Sequence, residues 1–259
     1  MDASISAAEL QESFRSGNSP LVIDVRRSER FRESPYVVRG ALHRDPAAVE
    51  QWKRTLPAAA SVVVYCVHGH EVSQGVAKAL GGRYLEGGIE HWKEAGGALS
   101  AKPANASTRW VTRERPKIDR IACPWLIRRF VDPEAEFLYV PTAEVKRVSL
   151  EKTATAYDIP DVEFSHEGER CSFDAFLKYY GLKDPALEEL ALIVRGADTN
   201  RLELAPQAAG LAAISLGLSL NYRNDHEMLE HGMVMYDALY AWCKEGKDEV
   251  HTWNPALYR

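Results

Sequence analysis

The segment Tyr65-Cys66-Val67-His68-Gly69-His70-Glu71-Val72-Ser73 combines residue types and spacing that can do chemistry. It follows the apolar run Ser61-Val62-Val63-Val64-Tyr65 and precedes a helical pattern over Ser73 to Leu80, so Cys66 stands in a strand-to-helix loop. In such a loop, backbone N–H groups and the positive end of the helix point at the sulfur and favour thiolate over thiol. The cradle formed by Val67, His68, Gly69, His70, Glu71 and Val72 would equally hold an anionic persulfide, and His68 and His70 add positive charge when protonated. The competing reading is an inert buried cysteine at a strand end. Glu71 also reads two ways. A carboxylate beside the sulfur repels an anionic donor, whereas one in an exposed first helical turn only complements the helix dipole.

The second half of the chain offers two weaker constellations. His166, Asp198, His226 and Glu230 form a mixed set that suits iron, manganese or zinc. His226 and Glu230 are four apart and share a helix face, and Cys171 lies near His166 in sequence. The spacing is not that of a HExxH metal motif, and structural histidines are the alternative. Residues 113–131 interleave basic and apolar side chains. Arg120, Arg128 and Arg129 there could meet an oxyanion, or simply pair with Glu114, Asp119 or Asp132 on a solvated face.

These residues must be positioned by a globular scaffold. The chain has 259 residues, 46% hydrophobic and 27% charged, enough for two ordinary domains with packed cores. Its net charge of −5 and the absence of a helix-turn-helix pattern argue against a nucleic-acid partner. No apolar run is long enough for a membrane span. Four separated cysteines with no CxxC pair make a poor disulfide or zinc framework, and a reducing, cytoplasmic setting is expected. Ser6-Ala7-Ala8-Glu9 reads as a capping box opening a helix to Arg15. Leu21 to Val25 and Ser61 to Tyr65 read as buried strands, Arg83 to Leu85 as a short third, and Ala47 to Leu56 and Ile89 to Ala95 as helices. That alternation predicts a parallel α/β sheet with helices on both faces over 1–100. The small and polar residues from 98 onward lead into a linker, placed at 101–108. Residues 109–259 read as a mainly helical second domain. Its expected strands are Arg109 to Thr112 and Phe137 to Val140. Its expected helices are Pro124 to Phe130 (Pro124 in the first turn), Ser172 to Tyr180, Pro185 to Arg195, Ala208 to Leu220 and Asp225 to Cys243. Trp92, Cys123 and Cys243 read as packing residues.

Several of these elements resemble a known family. Asp24-Val25-Arg26 after the first strand, Gly40-Ala41, Cys66 itself and Leu85-Glu86-Gly87-Gly88-Ile89-Glu90-His91-Trp92 occur in the order found in rhodanese domains, and residues 5–97 resemble that family throughout. The resemblance implies a sulfurtransferase that carries sulfur as a Cys66 persulfide. It would take a small-molecule donor, commonly thiosulfate, and a thiol or other nucleophilic acceptor, and needs no cofactor for the transfer. Asp24 and Arg26 are expected to support the site structurally. Related cysteine phosphatases carry arginine where this chain has Val72, so phosphatase chemistry is not expected. Residues 108–245 resemble the C-terminal domain of the chromate-resistance protein B family. The residues that carry this likeness are 113–131, Tyr157-Asp158-Ile159-Pro160, the stretch from His166 to Asp174, Ala197-Asp198-Thr199 and Asp225-His226-Glu227. That resemblance implies a role in chromate resistance with an oxyanion such as chromate as partner. The alternatives to a sulfurtransferase are an oxyanion or redox sensor or regulator, and a metal-dependent reductase centred on the second domain.

Overall fold

The computed structural model describes residues 3–16, 20–56, 61–101 and 109–247. The chain divides into two compact units, one of residues up to 104 together with those from 240 onward, the other of residues 105–239.

The first unit is built on strands β1 (Ser4–Ile5), β2 (Leu21–Asp24), β3 (Tyr36–Val38), β4 (Leu42–His43), β5 (Val62–Tyr65), β6 (Arg83–Leu85) and β7 (Leu99–Ala101). Between them run helices α1 (Ala7–Arg15), α2 (Ser28–Glu33), α3 (Val49–Trp52), α4 (Glu71–Leu80) and α5 (Gly88–Glu94). Five strands form a parallel sheet in the order β1-β6-β5-β2-β4, and β3 pairs antiparallel with β7. The central strands β2 and β5 are buried along their whole length, as near-continuous Leu, Val and Ile runs require when both faces of a parallel sheet are covered. Asp24 pairs with Tyr65 in register, so β2 and β5 end level and the loops that follow them open on one edge of the sheet. α1 starts with the expected capping box: Glu9 N–H donates to Ser6 Oγ at 3.2 Å, and Ser6 N–H to the Glu9 carboxylate at 2.9 Å. Trp92 on α5 is fully buried, edge-on to Phe14.

Two local expectations change, and one helix is added. The helix expected over Ala47 to Leu56 is broken into a 3₁₀ turn, the single α-turn α3 and a second 3₁₀ turn. The charged stretch Ser28–Glu33 is helical, with only Phe31 buried. Residues 99–101 are not a connector but strand β7; the remaining linker residues, 102–108, lie outside the described residues.

The second unit carries a three-stranded parallel sheet in the order β10-β8-β9, made of β8 (Arg109–Arg113), β9 (Glu136–Val140) and β10 (Thr155–Ala156). The rest is mainly helical: α6 (Asp119–Leu126), α7 (Val145–Lys152), α8 (Ser172–Tyr180), α9 (Pro185–Asp198), α10 (Ala208–Asn221) and α11 (Asp225–Ala241). Pro124 is not in the first turn of its helix but inside α6. A proline there leaves the carbonyl of Arg120 without its helical N–H partner, and the buried Tyr157 hydroxyl donates to that oxygen at 3.4 Å.

Candidate functional site

Cys66 follows β5 directly and is 7% exposed at the entrance of the loop that leads into α4. Its Sγ lies 3.2 Å from the Ser73 hydroxyl, which donates to the His70 carbonyl at 3.2 Å when turned the other way. Burial pushes the Cys66 thiol up. Hydrogen bonding from the Ser73 hydroxyl and from the backbone N–H groups of Ser73, His70 and His68 outweighs it and holds the thiol below its ordinary value. The donors to the sulfur are the N–H groups of His68 and His70 from the loop and both polar groups of Ser73, which lies in the first turn of α4 and is fully buried. Ser73→Ala removes a donor to the thiolate, so the pKa rises and less thiolate is present at neutral pH. Iodoacetamide alkylation of Cys66 should then slow several-fold at pH 7, with its pH–rate profile displaced upward. An unchanged profile would show that the hydroxyl does not stabilise the thiolate.

The loop is locked from below. Gly88 has φ +60°, and a Cβ there would stand 2.4 Å from the Val67 carbonyl oxygen and 2.5 Å from that of Cys66. This close approach lets the N–H groups of Ile89 and Glu90 donate to Cys66 and Val67 at 3.0 and 3.3 Å. Asp24 and Arg26 act from the neighbouring strand. Their 2.6 Å ion pair is almost completely buried. Asp24 also accepts from the Tyr65 hydroxyl at 2.8 Å, and Arg26 donates to the Tyr36 carbonyl at 3.0 Å.

Above the sulfur is a pocket of about 560 Å³ lined by Cys66, Val67, His68, His70, Glu71 and Val72, and also by Arg26, Arg27 and Arg30. Arg26 is neutralised by Asp24, and Arg30 pairs with Glu33 at 2.9 Å. Arg27 makes no ion pair among the described residues and lines the same pocket as Glu71. Arg27 and Arg30 were missed in the sequence. They sit just after β2, and the pairing of β2 with β5 brings that loop beside the Cys66 loop.

In the second unit the metal set is redrawn. His166 and Asp198 do meet, Nε2 to Oδ2 at 3.2 Å. Their companions are Asp158 and Asp119, at 3.4 and 3.5 Å from the same Nε2. Of the other two expected ligands, His226 packs edge-on to Tyr139 and Glu230 pairs with Arg128 at 3.0 Å. The Asp119 hydrogen bond raises the His166 pKa, as do the three surrounding carboxylates, against the opposing effect of burial. Burial, then the charges of Asp119 and Asp158, raises that of Asp198. The arginines expected to receive an oxyanion are engaged with acidic side chains: Arg120 with Asp158 at 3.1 Å, Arg128 with Glu230, and Arg129 with Asp237 at 3.0 Å. The acidic partners are not those considered from sequence, because they come from distant elements.

Comparison with known proteins follows the same division. The family model for the ChrB C-terminal domain matches residues 110–243, and that for the rhodanese-like domain matches residues 6–95. The chain is 33% identical over 133 residues to Protein ChrB of Cupriavidus metallidurans, a match covering 51% of this chain and 40% of that relative; it therefore spans less than half of the relative's length. Similar solved structures include a rhodanese-related protein from Thermoplasma volcanium, 23% identical, with 38% of this chain and 97% of that chain covered and a TM-score of 0.33. Another, from Rhodopseudomonas palustris, is described as a possible tyrosine phosphatase. It is 22% identical, with 37% of this chain and 83% of that chain covered and a TM-score of 0.33. Among the described residues no helix is long and apolar enough to cross a membrane.

Proposed function

The chain belongs to the ChrB C-terminal-domain family and has a match to the rhodanese-like domain ahead of that region, and on this premise we propose that it is a sulfurtransferase whose sulfur carrier is Cys66. The observation that carries the reading is a thiol held below its ordinary pKa by hydrogen bonds from Ser73 and the loop backbone, at the floor of an open, arginine-flanked pocket. The thiolate attacks the outer sulfur of an anionic donor. The new bond is Cys66 Sγ–S, and the donor's own S–S bond breaks. With thiosulfate the leaving group is sulfite, and the negative charge of the thiolate moves to the terminal sulfur of the persulfide. The same N–H groups that stabilise the thiolate then face that sulfur. A nucleophilic acceptor takes it, and the Cys66 thiolate returns.

This chemistry needs a reduced cysteine, which suits a reducing compartment such as the cytoplasm. Cys66 forms no disulfide in the structure. The family resemblance of the second region supports a role for this sulfur chemistry in chromate resistance. Val72, at the position where cysteine phosphatases carry arginine, leaves a phosphoryl group without its planar bidentate partner and favours sulfur transfer over phosphate hydrolysis.

Turnover with thiosulfate and a thiol acceptor tests the reading, with sulfite release as the readout. Arg27→Ala should raise the KM for thiosulfate by about three- to tenfold and leave that for a neutral donor little changed, since it removes a pocket cation. Glu71→Gln should move the thiosulfate KM in the opposite direction. If neither substitution separates charged from neutral donors, the pocket does not select its donor by charge.

A further inference from the structure

We propose that the second unit holds one divalent first-row transition-metal ion bound by His166 Nε2 and the carboxylates of Asp119 and Asp158. This site is independent of Cys66 and of the sulfur-transfer reading.

The geometry carries the proposal. Three carboxylate oxygens, from the start of α6, the residue after Tyr157 and the end of α9, converge on one imidazole nitrogen at 3.2, 3.4 and 3.5 Å. A protonated Nε2 has a single N–H and can donate well along one direction only. Charge-assisted hydrogen bonds are shorter, about 2.7 to 2.9 Å. Donors bound at about 2.1 Å to a common ion stand about 3.0 Å apart along an octahedral edge and about 3.4 Å apart along a tetrahedral edge. The separations of 3.4 and 3.5 Å from Nε2 to Asp158 and Asp119 match the edge of a tetrahedral site. The ligand atoms of Asp119, Asp158 and His166 lie within 4.8 Å of one another, as do those of Asp119, Asp198 and Cys171.

The surroundings aim these carboxylates at that point. Asp158 Oδ2 is held by Arg113 at 2.6 Å and Arg120 at 3.1 Å, which leaves Oδ1 to face His166. Ser172 Oγ donates to that Oδ1 at 3.0 Å, and Ser172 N–H donates to Asp119 Oδ2 at 3.2 Å. Such outer partners fix ligand orientation in metal sites. The side chains of Asp119 and Asp158 are 2% and 4% exposed, whereas that of His166 is 41% exposed and borders a pocket of about 340 Å³. An ion can therefore enter past His166. Imidazole with hard oxygen donors suits Mn²⁺, Fe²⁺ or Zn²⁺ over Mg²⁺ or Ca²⁺.

The test uses the full chain, stripped with EDTA and desalted, and titrated with Mn²⁺ while the electron paramagnetic resonance signal of free Mn²⁺ is followed. The wild-type protein should take up one equivalent. His166→Ala, at a half-exposed position, should weaken uptake by at least about tenfold, and Asp119→Asn should do the same. The double variant His68→Ala/His70→Ala should leave uptake unchanged. No uptake by wild type up to millimolar Mn²⁺ overturns the proposal and leaves His166 as an imidazolium caged by carboxylates. Equal affinity in wild type and a folded His166→Ala variant, judged by circular dichroism, also overturns it. So does uptake lost in the His68/His70 variant, because the ion then sits in the first unit.

Discussion

Gly88→Ala should disable the Cys66 loop while Cys66, Ser73 and the pocket arginines are all still present. The substituted Cβ would have to occupy space 2.4 to 2.5 Å from two backbone carbonyl oxygens. Backbone cannot swing aside as a flexible side chain can, and φ +60° is itself unfavourable for alanine. The relief available is to separate α5 from the loop, which breaks the hydrogen bonds from Ile89 and Glu90 to Cys66 and Val67. We expect a loss of roughly 3 kcal/mol in the stability of the first unit. The loop amides should also exchange faster, and the alkylation profile of Cys66 should move toward that of an ordinary thiol. Gly96→Ala is the control: Gly96 is also a positive-φ glycine, but a Cβ there meets nothing within 4 Å. Equal losses at the two positions would reduce the effect to backbone conformation and remove the docking argument.

Asp24→Ala should cost about 3–5 kcal/mol, because it strands a buried charge rather than deleting a surface pair. Arg26 would keep its guanidinium at 1% exposure with the Tyr36 carbonyl but no carboxylate, and the Tyr65 hydroxyl would lose its acceptor. Tyr65→Phe should cost less, about 1–3 kcal/mol, since it leaves the ion pair intact and unsatisfies the Val38 N–H that the hydroxyl accepts. Urea unfolding, followed by a probe confined to the first unit, measures both. The ranking Asp24 above Tyr65 is the prediction, and a loss below 1 kcal/mol for Asp24→Ala would show that water reaches the guanidinium.

The Cys66 loop was legible in the sequence because everything that builds it is local: an apolar strand, a cysteine, a glycine and a helix start within a dozen residues. The Gly87-Gly88 pair was readable as a family element. Its physical role is not local, since it depends on where β6 delivers α5. Arg27 and Arg30 escaped for a related reason. They reach the pocket through strand pairing, which periodicity does not report. α2 escaped because Phe31 is the one buried residue in it, too little to set a helical pattern. The second-unit cluster shows the limit most clearly. His226 and Glu230, an i, i+4 pair, share a helix face, but that spacing does not say which way the face points. Asp119, Asp158, His166 and Asp198 lie on four segments distant in sequence, which only the fold brings together. Pro124 was misplaced for want of a partner outside the helix: Tyr157 supplies the hydrogen bond that its own N–H would have made to Arg120.

The most direct measurement is intact mass of the reduced protein after incubation with thiosulfate, repeated with mercaptopyruvate and its sulfurtransferase as a persulfide source. Cys66→Ala serves as the control. A gain of about one sulfur mass in wild type, absent from Cys66→Ala and reversed by a thiol, is the result expected of a covalent sulfur carrier. No gain from either donor, with Cys66 still open to alkylation, would contradict it and leave a reactive thiol without sulfur-transfer chemistry.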